Sequence, residues 1–141
     1  MAPRNSLFVD TSGWAYLVDS RASFHHQVRT VYQQAVNQGR HLVTTNYIIT
    51  ELVALLSSRS SISRRQIFAF ADTMKFASHV EIIHIDTAFD TQAWFLLKAR
   101  DDKEWSLVDA SSFIIMEKYG MKEALTTDHH FTQAGFIRLP Y

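Results

Sequence analysis

The chain contains no cysteine. Disulfides and thiolate-held metals are therefore excluded, and a reducing compartment is permitted. An excess of charge of either sign is also missing, since fourteen Lys and Arg balance fourteen Asp and Glu. The total thus lacks the basic signature of a nucleic-acid binder. It would also conceal a basic surface if four carboxylates were drawn into one site, leaving ten acids (fourteen less four) against fourteen bases. No stretch reads as a secretory leader, because Met1 to Ser6 is polar and the apolar run behind it stops at Asp10. No apolar run nears the ~20 residues of a membrane span. Repeats, low-complexity tracts and linkers are absent as well. These absences set the expectation of a soluble, cytoplasmic protein with no membrane partner, its residues 1–141 forming a single domain.

What is present is an ordinary globular balance, 47% hydrophobic and 20% charged. Leu7-Phe8-Val9 reads as a buried strand that ends in Asp10. A strand without polar alternation needs both faces covered, as in a parallel sheet. Ser12 is the expected cap of a helix running to about Val18, and Ser23 that of a second helix to about Gln38, closed by Gly39. His41 to Thr44 is a second strand. Thr45 or Asn46 then caps a helix from Tyr47 to about Leu56, with a serine-rich break at Ser57–Ser61. Ser63 opens a further helix, Val80 to Ile85 is a third strand, and Asp86 caps the helix after it. Ser106 caps an apolar helix from Leu107 to Tyr119, ended by Gly120. Ala124 to Thr127 and Phe136 to Leu139 complete about five short strands. Strands alternating with helices predict an α/β fold, a mainly parallel sheet with helices on both faces.

Four acids stand at chemically suggestive places. Asp10 and Asp128 each follow a buried strand, and in a parallel sheet both emerge at the carboxyl edge, where ligands bind. Glu51 falls on its helix between Tyr47 and Ile48, inside the apolar arc. Burying that carboxylate costs several kcal/mol unless it is paired or coordinates a metal. Asp109 fits a capping box with Ser106, yet it lies on a helix that is apolar almost all round. A first-turn acid can serve both roles. Four carboxylates make a hard oxygen site suited to Mg²⁺ or Mn²⁺. Such ions position water for attack on a phosphodiester.

Phe8-Val9-Asp10-Thr11-Ser12, Thr45-Asn46-Tyr47 with Glu51, Ser106-Leu107-Val108-Asp109-Ala110 and Leu125-Thr126-Thr127-Asp128-His129-His130-Phe131 occur in that order over essentially the whole chain. The set resembles a PIN domain, and especially the VapC-type toxins of bacterial toxin–antitoxin pairs. The resemblance implies a three-layer α/β/α fold and a metal-dependent endoribonuclease in which Asp10, Glu51, Asp109 and Asp128 hold Mg²⁺ or Mn²⁺. Asp10 and Asp109 rank first as ligands, and Ser12 and Thr127 are supporting hydroxyls. It also implies an RNA substrate, a homodimer and a small cognate antitoxin.

Other residues carry weaker readings. Arg100 and Lys103 precede Asp109 and are placed to meet phosphates, as are His129 and His130 beside Asp128. Arg59, Arg64 and Arg65 read as a solvated surface. Trp14, Trp94 and Trp105 read as core or contact residues, with Trp105 the one to test for base stacking. Two other functions fit the same acids: a housekeeping PIN nuclease for RNA processing without an antitoxin, and a non-catalytic binding module. A receiver-type phosphoacceptor lacks its lysine, the last strand offering Arg138 instead.

Overall fold

Three β-favouring apolar residues without a polar face form a strand only where neighbours cover both sides, and β1 (Leu7–Val9) is wholly buried. A computed structural model describes residues 5–59 and 61–140. Met1 to Arg4, Ser60 and Tyr141 lie outside the described residues, as does the side chain of Arg59. The order along the chain is β1, α1 (Thr11–Val18), α2 (His25–Asn37), β2 (Leu42–Thr45), α3 (Asn46–Arg59), α4 (Arg64–Phe76), β3 (Val80–Ile83), α5 (Thr87–Ala99), α6 (Leu107–Lys118), β4 (Glu123–Leu125), α7 (His130–Gln133) and β5 (Ile137–Leu139).

The five strands form one sheet in the order β3-β2-β1-β4-β5, and every described pairing is parallel. Connections from β1 to β2 and β2 to β3 step toward one edge, whereas β3 to β4 and β4 to β5 step the other way. Right-handed crossovers then put α1–α4 on one face and α5–α7 on the other. The packing agrees: α1 lies against α2 and α3, α3 against α4, α5 against α6, and α6 against α7. This is the expected α/β/α architecture. Among the described residues, no helix is long and apolar enough to cross a membrane.

The local capping chemistry is partly as expected. The Ser63 hydroxyl accepts from Gln66 N–H and the Gln66 side chain returns a bond, closing a capping box on α4. Asp86 caps α5 through Phe89 N–H at 2.9 Å, and Thr45 caps α3 through Ile48 N–H at 3.1 Å. Gly39 and Gly120 follow α2 and α6 at φ 73° and 67°, the left-handed region that an L side chain resists.

Three expectations require correction. Ser23 does not cap α2, which begins at His25 after Phe24 with no side-chain cap. The helix start is held instead by His25 Nδ1, 2.7 Å from the Tyr16 carbonyl. The serine-rich break is shorter than expected because α3 continues through Ser57 and Ser58 to Arg59; Ser58 satisfies its hydroxyl on the Leu55 carbonyl, a back-bond that a helix tolerates. Ser12 does not cap α1. Asp10 occupies the cap position, again without a side-chain cap bond, and Ser12 is used elsewhere.

The core is continuous from Leu7, Phe8 and Val9 through Leu42, Val43, Ile48, Phe113, Ile115, Leu125 and Phe131. Each such side chain contributes roughly 1.5–3 kcal/mol by leaving water. Gly13 is required by close packing. A Cβ there would lie 2.5 Å from the Leu125 carbonyl oxygen and 3.1 Å from Val9 Cγ1. The α1 backbone therefore rides directly on the end of β4.

Candidate metal centre

Adjacent strands β1 and β4 send their connections in opposite directions, so the crevice at their carboxyl ends is the topological switch point where open α/β sheets bind ligands. The parallel register pairs Phe8 with Ala124 and Val9 with Leu125. One step further, that register brings Asp10 to Thr126. The Thr126 hydroxyl donates to Asp10 Oδ2 at 2.9 Å, accepts from Asp128 N–H at 3.0 Å and lies 3.1 Å from Ser12 Oγ. A hydroxyl has one hydrogen to give. Thr126 gives its own to Asp10, so Ser12 is the donor of the shared bond. Ser12 Oγ also accepts from Thr127 N–H at 3.0 Å.

Asp10 is only 4% exposed. Its carboxyl is pushed from an ordinary 3.8 up to about 7, chiefly by burial. The Thr126 hydroxyl and the Thr11 main-chain amide pull the other way, while the charges of Asp109 and Asp128 raise it further. Contacts place the same three acids together, Asp10 meeting Asp128 through Thr126 and Asp128 meeting Asp109 through His130.

Asp109 closes the expected capping box. Its Oδ2 accepts from Ser106 N–H, and its own N–H donates to Ser106 Oγ, both at 3.0 Å. The same Oδ2 lies 3.0 Å from His130 Nδ1. Capping and site geometry therefore share one oxygen, and among the described residues Oδ1 takes no donor. Asp128 Oδ1 accepts from His130 N–H at 2.9 Å and lies 3.3 Å from His130 Nδ1. Glu51 is half-buried on α3, where Thr11 donates to its Oε1 at 2.6 Å. It thus joins the site through the residue next to Asp10.

The hydroxyl that meets both Asp10 and the Asp128 N–H is that of Thr126, one residue before Thr127. Thr127 contributes its main chain, the N–H to Ser12 and the carbonyl to Arg138 Nη1 at 2.8 Å. Sequence reasoning also missed α7, a single turn whose Phe131 is buried against the rings of Phe8 and Phe113 at 6.3 and 5.0 Å. That anchor sets His130 against Asp109. An aromatic two residues past a chain reversal was the available signal.

The expected phosphate contacts meet varied surroundings. Arg100 is chelated by Asp102 at 3.0 and 3.1 Å and lies 5.3 Å over the Trp105 ring, and Lys103 is 3.9 Å from the same acid. Asp102 thus compensates both cations. His129 is exposed beside Asp128, at 3.8 Å. Trp105 is buried, its Nε1–H bonded to Gln133 at 3.0 Å and its ring beneath Arg100; Trp14 is core, and Trp94 is exposed.

Among the described residues, no Lys or Arg forms an ion pair with Asp10, Asp109 or Asp128. A buried carboxyl with no basic partner, beside two further acids, is the donor chemistry of a hard divalent cation. The residues fit such an ion.

Residues 7–137 match the family model of the PIN domain. The chain is 31% identical over 133 residues to the 23S rRNA-specific endonuclease VapC20 of two strains of Mycobacterium tuberculosis, covering 94% of this chain and 97% of the relative. The crystal structure of that protein, described as a sarcin–ricin loop cleaving toxin, superposes with a TM-score of 0.83 over the same shares of both chains. FitAcB from Neisseria gonorrhoeae, at 12% identity and a TM-score of 0.63, covers 94% of this chain and 95% of its own and shares the fold. The chain belongs to the PIN-domain family.

Proposed function

We propose that the chain is a divalent-metal-dependent endoribonuclease, acting in the cytoplasm as the toxin half of a VapBC-type toxin–antitoxin pair. The observation that carries this reading is the gathering of Asp10, Asp109 and Asp128 at the carboxyl ends of β1 and β4, with Glu51 tied to the neighbouring Thr11. These four residues would hold Mg²⁺ or Mn²⁺. Bound there, the cation supplies Lewis acidity and positive charge for phosphodiester hydrolysis. The chain does the positioning. Thr126 and Ser12 fix the Asp10 carboxyl, Ser106 fixes Asp109, and the His130 main-chain N–H fixes Asp128. Each acid is thereby oriented before the ion arrives, which reduces the reorganisation needed at the site.

Near full-length likeness to a 23S rRNA-specific endonuclease supports structured ribosomal RNA as the first substrate to try. A homodimer and a small inhibitory antitoxin follow from the same family reading. The test is to incubate purified protein with ribosomes and with total RNA, with and without Mn²⁺, and to map new RNA ends. Asp109→Asn should abolish cleavage with the fold retained. Full cleavage by that variant, or by wild type in excess chelator, would overturn the metal mechanism. Toxicity on expression that a neighbouring gene relieves supports the toxin role; harmless expression of an active nuclease points to RNA processing instead.

A further inference from the structure

The centre also holds an imidazole. His130 is only 19% exposed at its side chain, and its Nδ1 lies 3.0 Å from Asp109 Oδ2 and 3.3 Å from Asp128 Oδ1. Two donors at right angles around a small divalent ion, each bonded at about 2.1 Å, are about 3.0 Å apart. In the metal-free chain Nδ1–H donates to Asp109 Oδ2, and the nitrogen stands from both carboxylate oxygens at the separation that neighbouring ligands of one cation adopt, so a shift of the ring hydrogen to Nε2 leaves three donors in place. The backbone reinforces the arrangement. His130 N–H holds Asp128 Oδ1 at 2.9 Å, Ser106 N–H holds Asp109 Oδ2 at 3.0 Å, and buried Phe131 anchors the turn that carries the ring. Ligands held by such outer partners are the ones that keep their geometry when an ion binds.

We propose that His130 is itself a ligand of the cation, its Nδ1 joining Asp109 and Asp128 in a mixed nitrogen and oxygen set. This rests on the metal-dependent reading above and adds to the four acids a fifth residue. Coordination uses the lone pair on Nδ1, so the ring hydrogen sits on Nε2 in the loaded protein. An imidazole donor also moves the preference of an otherwise hard site from Mg²⁺ toward Mn²⁺. His129, exposed and 3.8 Å from Asp128, forms a second candidate group with Asp128 and His130 but has no contact with Asp109 among the described residues, so its alanine variant tells the two imidazoles apart.

The test is Mn²⁺ titration into the full chain, with pulsed electron paramagnetic resonance to detect nitrogen on the bound ion. Wild type and His129→Ala should show the nuclear modulation of one imidazole ¹⁴N. His130→Ala and His130→Gln should lose it and bind Mn²⁺ about tenfold or more weakly, with a smaller change for Mg²⁺. Bound Mn²⁺ without nitrogen modulation in wild type, or modulation that persists in His130→Ala, would overturn the proposal while leaving the acid site standing. Wild type that takes up no Mn²⁺ at all would remove the metal-dependent reading and this inference with it. The wild-type spectrum decides the matter even if a His130 variant folds poorly.

Discussion

Replacing Asp10 by asparagine should stabilise the metal-free protein at high pH while destroying its cation site. Asp10 has its carboxyl raised from 3.8 to about 7, mainly because burial disfavours the charge. Below about pH 4 the group is neutral in both folded and unfolded chains and contributes nothing. Between about 4 and 7 the unfolded chain releases its proton and the folded chain keeps it. The unfolded state then binds fewer protons, so stability falls as pH rises, and the loss is complete above about 7. The gap between 3.8 and about 7 corresponds to roughly 4 kcal/mol at about 1.4 kcal/mol per decade. Asparagine keeps the shape, and its carbonyl can still accept from Thr126, without the charge. At pH 8 in chelator, Asp10→Asn should gain up to about 4 kcal/mol, or about 10 °C in melting temperature for a chain of this length. The gain should shrink steadily to nothing near pH 4. Urea and thermal unfolding from pH 4 to 8 measure it directly. Added Mn²⁺ should then raise wild type by mass action and leave Asp10→Asn behind. A variant no more stable than wild type at pH 8, or one equally stabilised at pH 4 and 8, would refute the argument that an unpaired buried charge sits at this position.

Four other substitutions probe the supports of the site. Thr126→Val removes the hydroxyl that serves Asp10, Ser12 and the Asp128 N–H; it should cost about 1–3 kcal/mol and weaken Mn²⁺ binding by calorimetry, whereas Thr127→Val should change cation affinity little. Gly13→Ala drives a methyl toward the Leu125 carbonyl at 2.5 Å, so α1 must lift from β4. The expected results are a lower melting temperature and lost RNA cleavage, and a variant with wild-type values for both would contradict the packing. Phe131→Ala empties the pocket beneath α7 and should cost roughly 3–5 kcal/mol in urea unfolding.

Short-range rules made much of the molecule readable from its residues. Ser63, Asp86 and Ser106 cap their helices because the needed donors lie within three residues. Gly39 and Gly120 end helices because a positive φ is a local demand. The apolar run at β1 announced two covered faces. What stayed hidden shares one cause. Ser12 looks like a cap, and the surroundings of Thr127 and His130 go unread, only while their partners across the fold are unknown. Those partners are 115 positions away for Ser12 with the Thr127 N–H, and 21 for His130 with Asp109.

The sequence by itself therefore determined the element types and the α/β class, since periodicity and capping are properties of neighbouring residues. Tertiary structure decided the order of the strands, the register that sets Thr126 rather than Thr127 against Asp10, and the place of His130 between two carboxylates. It also decided that Asp10 carries an electrostatic cost. The Asp10–Thr126 contact joins segments more than a hundred residues apart and the His130–Asp109 contact spans 21, and no local pattern encodes either.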